Sequence, residues 1–284
     1  MCVVNGVRLS RAEFLEYLQI KKDLSEIREQ LHKPAQYAYH YGDWPVIKAI
    51  QGKKDYDITL MDWEFRPVWV KNMDDMKLIR KGIDPVTMKQ GPPVPWFNAK
   101  VENLLTSKMW RPSALKKRCI IPSDYFFEWR THFPLGKKGQ VLKTPVKFPY
   151  VIKAIDEKPP YMAGIWTPWK DQTTGLWTDT FANVTTDPPL GHPMRMIHNS
   201  KNRMPVYLTE EMAEAWLWGN LTEADITAIG SYVWPADKLE YHTVGKDFLT
   251  AEEPLTAVNY SELEEPPPPQ PTSAPTTSQT DLFA

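Results

Sequence analysis

The sequence predicts an α+β fold, and three observations support that class. Segments with strand character and amphipathic segments with helix character follow one another irregularly, unlike the strict alternation of a doubly wound parallel sheet. Hydrophobic residues make up 42% and charged residues 24% of the 284 residues, as is usual for a globular protein. No apolar run approaches the roughly 18–20 residues of a membrane span, so no membrane association is expected.

The predicted strands are short and rich in β-branched and aromatic residues. They cover residues 2–7, 44–47, 58–70 with a break at Pro67, 118–122, 125–129, 150–152, 161–166, 180–185 and 204–208. Ser123 and Asp124 supply the turn between two of these strands.

The predicted helices have recognisable start signals. Residues 10–13 read as a capping box, and an apolar stripe continues from there to Leu31. A further helix is expected after Glu102. Thr209 caps a helix that runs through Trp218, and another begins at Thr222. Two polar, Pro- and Gly-containing stretches, residues 71–95 and 186–203, predict irregular loops.

Composition divides the chain near residue 250. Residues 251–284 contain six acidic residues, no Lys or Arg, and a Pro/Ser/Thr-rich run, so they predict a disordered tail after a domain of residues 1–250. That domain carries 34 basic and 29 acidic residues, a net charge of +5 that is compatible with a phosphate-binding face. The two cysteines, Cys2 and Cys119, indicate a reducing compartment, and a cytoplasmic protein is expected.

Cys2 offers unusual chemistry if Met1 is removed, which the small cysteine side chain favours. The freed α-amine would have a pKa of about 7.7–8.0, and the thiol would have a pKa of about 8.5. An aldehyde would form an imine with this amine, and the neighbouring sulfur would close a thiazolidine ring. Position alone does not distinguish this hypothesis from a cysteine that stands second by chance.

Three further positions could carry chemistry. Glu128 lies within an apolar segment, where burial would raise its pKa, but an alternating strand could equally place it on a solvated face. His198 lies in a predicted loop, as a catalytic imidazole or as a surface histidine. Asn98 lies four residues before Glu102, with Lys100 between them. The histidines lack metal-ligand spacing and no glycine motif for phosphate occurs, so no metal and no cofactor are predicted.

Eight segments occur in an order that is similar to one known family. They are Met1-Cys2, Trp63-x-x-x-Pro67-x-Trp69, Asn98-Ala99-Lys100-x-Glu102, Arg118-Cys119-Ile120-Ile121-Pro122, Phe127-Glu128-Trp129, Ala163-Gly164-Ile165-Trp166, Thr185-Thr186, and Ile197-His198 followed by Arg203-Met204-Pro205. Over roughly residues 2–250 the chain resembles the SRAP family (SOS-response-associated peptidase domain). The resemblance implies a mainly antiparallel, barrel-like β core flanked by helices.

The resemblance also implies a DNA-damage function, in which abasic sites in single-stranded DNA are captured as a thiazolidine. Cys2 would be the nucleophile, and Asn98 would position the Cys2 backbone and the sugar. Glu128 would act as general acid and base in imine formation and in release of Met1, and His198 would assist sugar ring opening and crosslink reversal. Implied DNA contacts are phosphate binding by Lys100, Lys108 and Arg203, base stacking or wedging by Trp69, and pocket lining by Thr185.

The chain departs from the family pattern at several of these positions. Lysine replaces the usual arginine at Lys100 and Lys108, which removes a two-pronged phosphate grip. Val3 and Glu64 stand where the family has glycine. Four residues, 199–202, separate His198 from Arg203, which is longer than the common spacing.

The last residues resemble a second known motif. The pentapeptide of residues 279–283 is similar to the bacterial sliding-clamp-binding peptide, through Gln279, Asp281, Leu282 and Phe283. It implies a clamp partner and a bacterial or phage replication system, so a nucleoid-associated protein is expected. A monomer is also expected.

Two other functions remain open from the sequence. A cysteine-type peptidase acting on other proteins could use Cys2, His198 and Glu128. A non-covalent adaptor for single-stranded DNA or the clamp would need none of them.

Overall fold

The computed structural model describes residues 2–8, 32–155 and 161–263. The helix predicted over residues 10–31 and the clamp-binding residues 279–283 lie outside the described residues. Within the described ranges, no helix is long and apolar enough to cross a membrane.

Thirteen strands in the described residues form two sheets. They are β1 (Val4–Arg8), β2 (His32–Tyr37), β3 (Asp43–Ala49), β4 (Tyr56–Trp63), β5 (Asn98–Lys100), β6 (Arg118–Pro122), β7 (Tyr125–His132), β8 (Val146–Ala154), β9 (Tyr161–Lys170), β10 (Trp177–Thr186), β11 (Met204–Pro205), β12 (Tyr207–Leu208) and β13 (Leu239–Thr243).

The larger sheet closes into a five-stranded barrel. Its order is β10, β4, β3, β6 and β9, and pairing of β9 with β10 completes the ring. Only the β10–β4 pair is parallel among these barrel pairings. The short strands β5 and β11 attach to β10, and β12 attaches to β9. The predicted α+β fold with a mainly antiparallel, barrel-like core is confirmed.

The smaller sheet is antiparallel throughout, in the order β13, β8, β7, β1 and β2. β8 borders the whole length of β7, whereas β1 pairs only with residues 125–127 of β7. Within the described residues, the far half of β7, beyond Phe127, therefore has no strand on its β1 side. This open edge lies where the chain begins, next to Cys2.

The described residues contain six α-helices. They are α1 (Met73–Arg80), α2 (Val101–Leu104), α3 (Arg111–Lys116), α4 (Pro193–Ile197), α5 (Glu210–Trp218) and α6 (Glu223–Gly230). The predicted caps of the last two helices are confirmed, since Thr209 accepts the Met212 N–H and Thr222 forms a capping box with Asp225.

Aromatic side chains fill much of the core between the sheets. Trp63 is fully buried, its ring stacks on Phe181 with centroids 6.0 Å apart, and its Nε1 donates to the Phe97 carbonyl. A second group of buried residues, which includes Val184, Ala213 and Ile226, lies between the barrel strands and the helices. Seven of the twelve tryptophans are buried, so packing explains most of them. Truncating a buried tryptophan to alanine costs about 3–5 kcal/mol.

Several sequence-based predictions of structure were wrong. The strand predicted to Val70 ends at Trp63. The loops predicted over residues 71–95 and 186–203 contain α1 and α4, and β13 was not predicted. In α1 only Met76 and Ile79 are buried, which is too few to show a helical period. A contact with a residue outside the helix holds α1 in place instead: Arg80 Nε donates to the buried Glu64 carboxylate at 2.9 Å.

The predicted start of the tail at residue 251 also needs correction. Residues 251–263 pack on the domain: the Tyr260 hydroxyl donates to the Val244 carbonyl, and its ring meets Phe148 edge-on with centroids 4.7 Å apart. The acidic composition of this segment predicted disorder, and its few aromatic and hydroxyl contacts could not be predicted from composition.

Candidate active site

Cys2, Glu128 and His198 converge at the open edge of β7. One ligating atom of each, a sulfur, a carboxylate oxygen and an imidazole nitrogen, lies within 4.8 Å of the other two. Their relative exposures are 0%, 1% and 3%. The three come from separate parts of the chain: Cys2 lies two residues before β1, Glu128 in the middle of β7, and His198 at the end of α4. The structure supports the buried interpretation of Glu128 and shows that His198 is not a surface histidine, while a catalytic role for either stays a prediction.

Burial determines the protonation of Glu128. Loss of hydration raises the pKa of its carboxyl to about 7, against smaller lowering effects that include a hydrogen bond with the Cys2 thiol. Its Oε1 atom is buried and has no hydrogen-bond partner among the described residues. Near neutral pH this carboxyl is close to half-protonated, so it can both donate and accept a proton.

His198 is held as a neutral base. Its Nδ1 lies 2.8 Å from the Arg203 carbonyl oxygen, and since a carbonyl only accepts, Nδ1 carries the hydrogen and Nε2 does not. Burial lowers the pKa of the imidazole to about 4. The four residues of the 199–202 segment thus form a turn that returns the chain to orient the His198 ring.

The Cys2 thiol is protonated at neutral pH. Burial, together with the nearby charge of Glu128, raises its pKa well above the usual value. Sulfur chemistry at Cys2 therefore requires a base that removes the thiol proton, and Glu128 is hydrogen-bonded to that thiol.

A cavity of about 380 Å³ lies against two of the three converging residues. Glu128 and His198 form part of its wall, and Val3, which stands at a position where glycine was expected, also lines it. The remaining lining residues are Tyr37, Tyr39, Trp129, Thr131, Lys147, Ser200 and Lys201. Aromatic, hydroxyl and ammonium groups in one cavity fit a ligand with apolar faces and anionic groups.

Three asparagines have buried amides without partners in the described part of the chain. For Asn5, Asn98 and Asn183, neither the side-chain oxygen nor the nitrogen has a hydrogen bond there. Asn98 begins β5 and is in register with Asn183 on β10. Each such amide costs roughly 1–3 kcal/mol unless something binds it, so these groups are candidates for ligand contact.

The profile of the family described as SOS response associated peptidase (SRAP) matches residues 1–250. The chain belongs to the SRAP family. A solved SRAP-like fold, the crystal structure of a Bacteroides thetaiotaomicron protein, superposes with a TM-score of 0.71 at 26% identity, covering 91% of this chain and 100% of that one.

Two curated relatives of this SRAP chain are named for DNA lesions. The "Abasic site processing protein YoqW" of Bacillus subtilis is 32% identical over 200 residues, which are 70% of this chain and 74% of that protein. The "Abasic site processing protein YMR114C" of Saccharomyces cerevisiae is 29% identical over 197 residues, 69% of this chain. This match spans 41% of the yeast protein, so the chain covers less than half of its length.

Three of the residues expected to bind DNA in this SRAP chain are exposed. Trp69 is 54% exposed and meets Trp96 edge-on with centroids 5.4 Å apart, while Lys100 and Lys108 lie at the surface. Thr185 is buried on β10, in register with Lys100.

Arg203 is already engaged. Its guanidinium donates to both carboxylate oxygens of Glu102, at 2.7 and 3.0 Å, and to the Thr185 carbonyl, and the residue is only 8% exposed. Both of its terminal nitrogens are therefore bonded to Glu102 rather than available to a phosphate. Contact of Arg203 with DNA therefore stays a prediction.

Two polar groups near Cys2 were missed by the sequence analysis. The Tyr207 hydroxyl is buried, and burial first, then the charges of Asp124 and Cys2, raise its pKa well above the usual value. Asp124 was assigned only to a turn. Tyr207 stands in a segment that reads as an apolar strand, and nothing in the sequence pairs it with Cys2.

Cys2, Glu128 and His198 are also a candidate metal-binding group among the described residues. Three such ligands with an open fourth position would suit Zn²⁺. Binding would require Cys2 to lose a proton that burial holds tightly. The absence of a metal from the reaction stays a prediction. Cys119 is buried on β6, away from this group.

Proposed function

We propose that this SRAP chain captures abasic sites in single-stranded DNA by a covalent bond to Cys2, after removal of Met1. The convergence of Cys2, Glu128 and His198 within 4.8 Å carries the proposal. The names of the Bacillus subtilis and yeast relatives support the substrate class.

The reaction joins an aminothiol and an aldehyde with loss of water. The Cys2 amine adds to the aldehyde carbon of the ring-opened deoxyribose, and loss of hydroxide as water gives an imine. The sulfur then bonds to the same carbon, the thiol proton ends on the nitrogen, and a thiazolidine results. Glu128, with a pKa of about 7, would donate a proton to the departing hydroxyl and accept one from the thiol.

The other groups would prepare the sugar. The unprotonated Nε2 of His198 would accept the proton of the anomeric hydroxyl as the sugar ring opens. The unpartnered amide of Asn98 would hold the Cys2 backbone or a sugar hydroxyl. Release of Met1 would use the same Glu128 as its acid and base.

A cysteine peptidase acting on other proteins fits the site less well. That chemistry uses a thiolate, often beside a protonated imidazole. Here the pKa of Cys2 is raised by burial and that of His198 is lowered to about 4, so neither group is charged at neutral pH.

Denaturing electrophoresis tests capture against the peptidase and adaptor functions. The protein is mixed with a single-stranded oligonucleotide that carries one abasic site, beside Cys2→Ala and an oligonucleotide with intact thymine. A heat-stable shifted band that needs both Cys2 and the lesion is expected. Failure of protein lacking Met1 to give this band would overturn the proposal.

We further propose that residues 279–283 bring the protein to the sliding clamp at replication forks. Gln279 would anchor the peptide, and Leu282 and Phe283 would enter an apolar pocket of the clamp. A synthetic tail peptide should compete with the full chain for purified bacterial clamp, whereas a peptide with Leu282 and Phe283 replaced by alanine should not. Absence of binding at high micromolar concentration would remove this idea.

A further inference from the structure

The 199–202 segment is docked to the open edge of β7 by one side chain. Asn199 accepts the Thr131 N–H with its Oδ1 at 2.9 Å and donates from Nδ2 to the Thr131 carbonyl at 2.8 Å. Its amide thereby bonds the backbone groups of Thr131 on the side of β7 where the described residues provide no strand beyond Phe127. The backbone N–H groups of Lys201 and Asn202 both donate to the His198 carbonyl, which closes the turn.

This docking brings two lysines to one rim of the cavity. Lys147 on β8 is the register partner of Thr131, the same residue that Asn199 binds. Both Lys147 and Lys201 line the cavity and are exposed. Within the described ranges, neither ammonium pairs with a carboxylate, in contrast to Lys48, which bonds Asp179 at 2.7 Å.

The positive charge of Lys201 acts on the buried pair of Glu128 and His198. Burial dominates the pKa of Glu128 and of His198, and the positive charge of Lys201 lowers both. An ammonium that acts on both groups lies beside the position where the reacting sugar would sit.

Resting on the proposed function, we infer that Lys147 and Lys201 form a phosphodiester-binding site for the DNA strand next to the captured sugar, with Asn199 as its positioning residue. Two ammonium groups suit this ligand because they are point charges that tolerate many phosphate orientations. Ser200, which also lines the cavity, adds a hydroxyl donor. Lys201 would offer its ammonium group to the phosphate, whereas the Arg203 guanidinium is bound to Glu102.

Binding to a non-reactive lesion tests this site apart from the chemistry. The probe is a single-stranded oligonucleotide with a tetrahydrofuran abasic analogue, which has no aldehyde, and fluorescence anisotropy gives the affinity of the full chain across a salt series. Variants are Lys147→Ala, Lys201→Ala, the double variant and Lys201→Glu. Lys53→Ala, an exposed lysine in the β3–β4 turn, is the charge-matched control.

Each lost phosphate contact should reduce the slope of log affinity against log salt by about 0.7, so the double variant should lose about 1.4. At 0.1 M salt this corresponds to about fivefold weaker binding per lysine, with Lys201→Glu weaker still. A double variant whose affinity and slope match those of Lys53→Ala would overturn the inference.

Asn199→Ala separates positioning from direct contact. It should weaken binding in the wild-type background and add little to Lys201→Ala, because both changes remove the same ammonium from the rim. Additive losses would show that Asn199 does not act through Lys201. Wild-type crosslinking to true abasic DNA is scored separately: its failure would overturn the proposed function, while a lysine-dependent affinity for the analogue would still support the phosphate site.

Discussion

Oε1 of Glu128 and Nδ1 of His198 lie 3.5 Å apart in the interior of the protein. Burial moves their pKa values in opposite directions, to about 7 for the carboxyl and about 4 for the imidazole. The pair therefore does not form an ion pair at neutral pH, and the Nδ1 hydrogen points to the Arg203 carbonyl instead. A neutral base and a half-ionised acid beside one thiol are the arrangement that aldehyde capture requires.

Replacing Glu128 by glutamine should slow crosslinking to abasic DNA by about 10²–10⁴-fold, since the amide keeps the shape but transfers no proton. The rate is measured from the growth of the shifted band under single-turnover conditions. Glu240→Gln, at an exposed position on β13 of the same sheet, should react like wild type. A rate for Glu128→Gln within about threefold of wild type would exclude Glu128 as the acid–base group.

The pH dependence of capture should contain a step from Glu128. When attack of the thiol limits the rate, the carboxylate that forms as pH rises through about 7 can accept the Cys2 proton, so the rate should rise. Because the amine also titrates, the diagnostic quantity is the ratio of the wild-type rate to the Glu128→Gln rate. This ratio should increase with a midpoint near pH 7, and a flat ratio would count against the role of Glu128.

Glu128→Gln should also stabilise the protein above neutral pH. The carboxyl pKa is about 7 when folded and 4.5 for the free group, so between those values the folded state holds more protons and stability falls as pH rises. Above pH 7 the cost is complete at about 3 kcal/mol. The lowered pKa of His198 makes the free energy of unfolding fall as pH drops below 6.5. This effect is the same in wild type and in Glu128→Gln, so it cancels in the comparison.

Urea denaturation of wild type and Glu128→Gln at pH 4.5 and pH 8 measures this difference. The stability gain of the variant should be large at pH 8 and vanish at pH 4.5. A gain that is equal at the two values would show that the carboxyl titrates normally in the folded protein.

The Arg203–Glu102 pair should contribute to stability through its geometry. Arg203→Lys keeps the charge but loses the two-pronged bond to Glu102 and the bond to the Thr185 carbonyl, so the free energy of unfolding should fall by about 1–3 kcal/mol. Arg111 makes a similar pair with Glu223 at the surface, and Arg111→Lys should lose less. Equal losses in urea denaturation would contradict a structural role for Arg203.

The sequence allowed prediction of the fold class and of the three converging residues. The caps at Thr209 and Thr222 are local signals, so they could be identified without a structure. Barrel closure through β9 and β10 could not, because it depends on which edges meet in space. Burial of Glu128 was also undecidable, because alternation on β7 fits either face, and only the second sheet layer makes both faces buried.

The position of the 199–202 segment could not be predicted from the sequence either. In the sequence it stood out only as a spacing between His198 and Arg203 that is longer than is common in the family. In the structure Asn199 binds the Thr131 backbone, a partner 68 residues away, and the segment thereby orients His198 and reaches the cavity. Side-chain bonds to a distant backbone leave no local pattern, and the same is true of the approach of Tyr207 to Cys2.

Intact-mass measurement of the crosslinked product tests most directly whether Cys2 captures the lesion through its aminothiol. Protein incubated with an abasic oligonucleotide should give a species with the mass of the chain without Met1 plus the oligonucleotide minus one water, unchanged by borohydride because a thiazolidine has no imine to reduce. Peptide mapping should place the adduct on Cys2. An adduct that retains Met1, maps elsewhere or gains hydrogen on borohydride treatment would contradict capture as a thiazolidine.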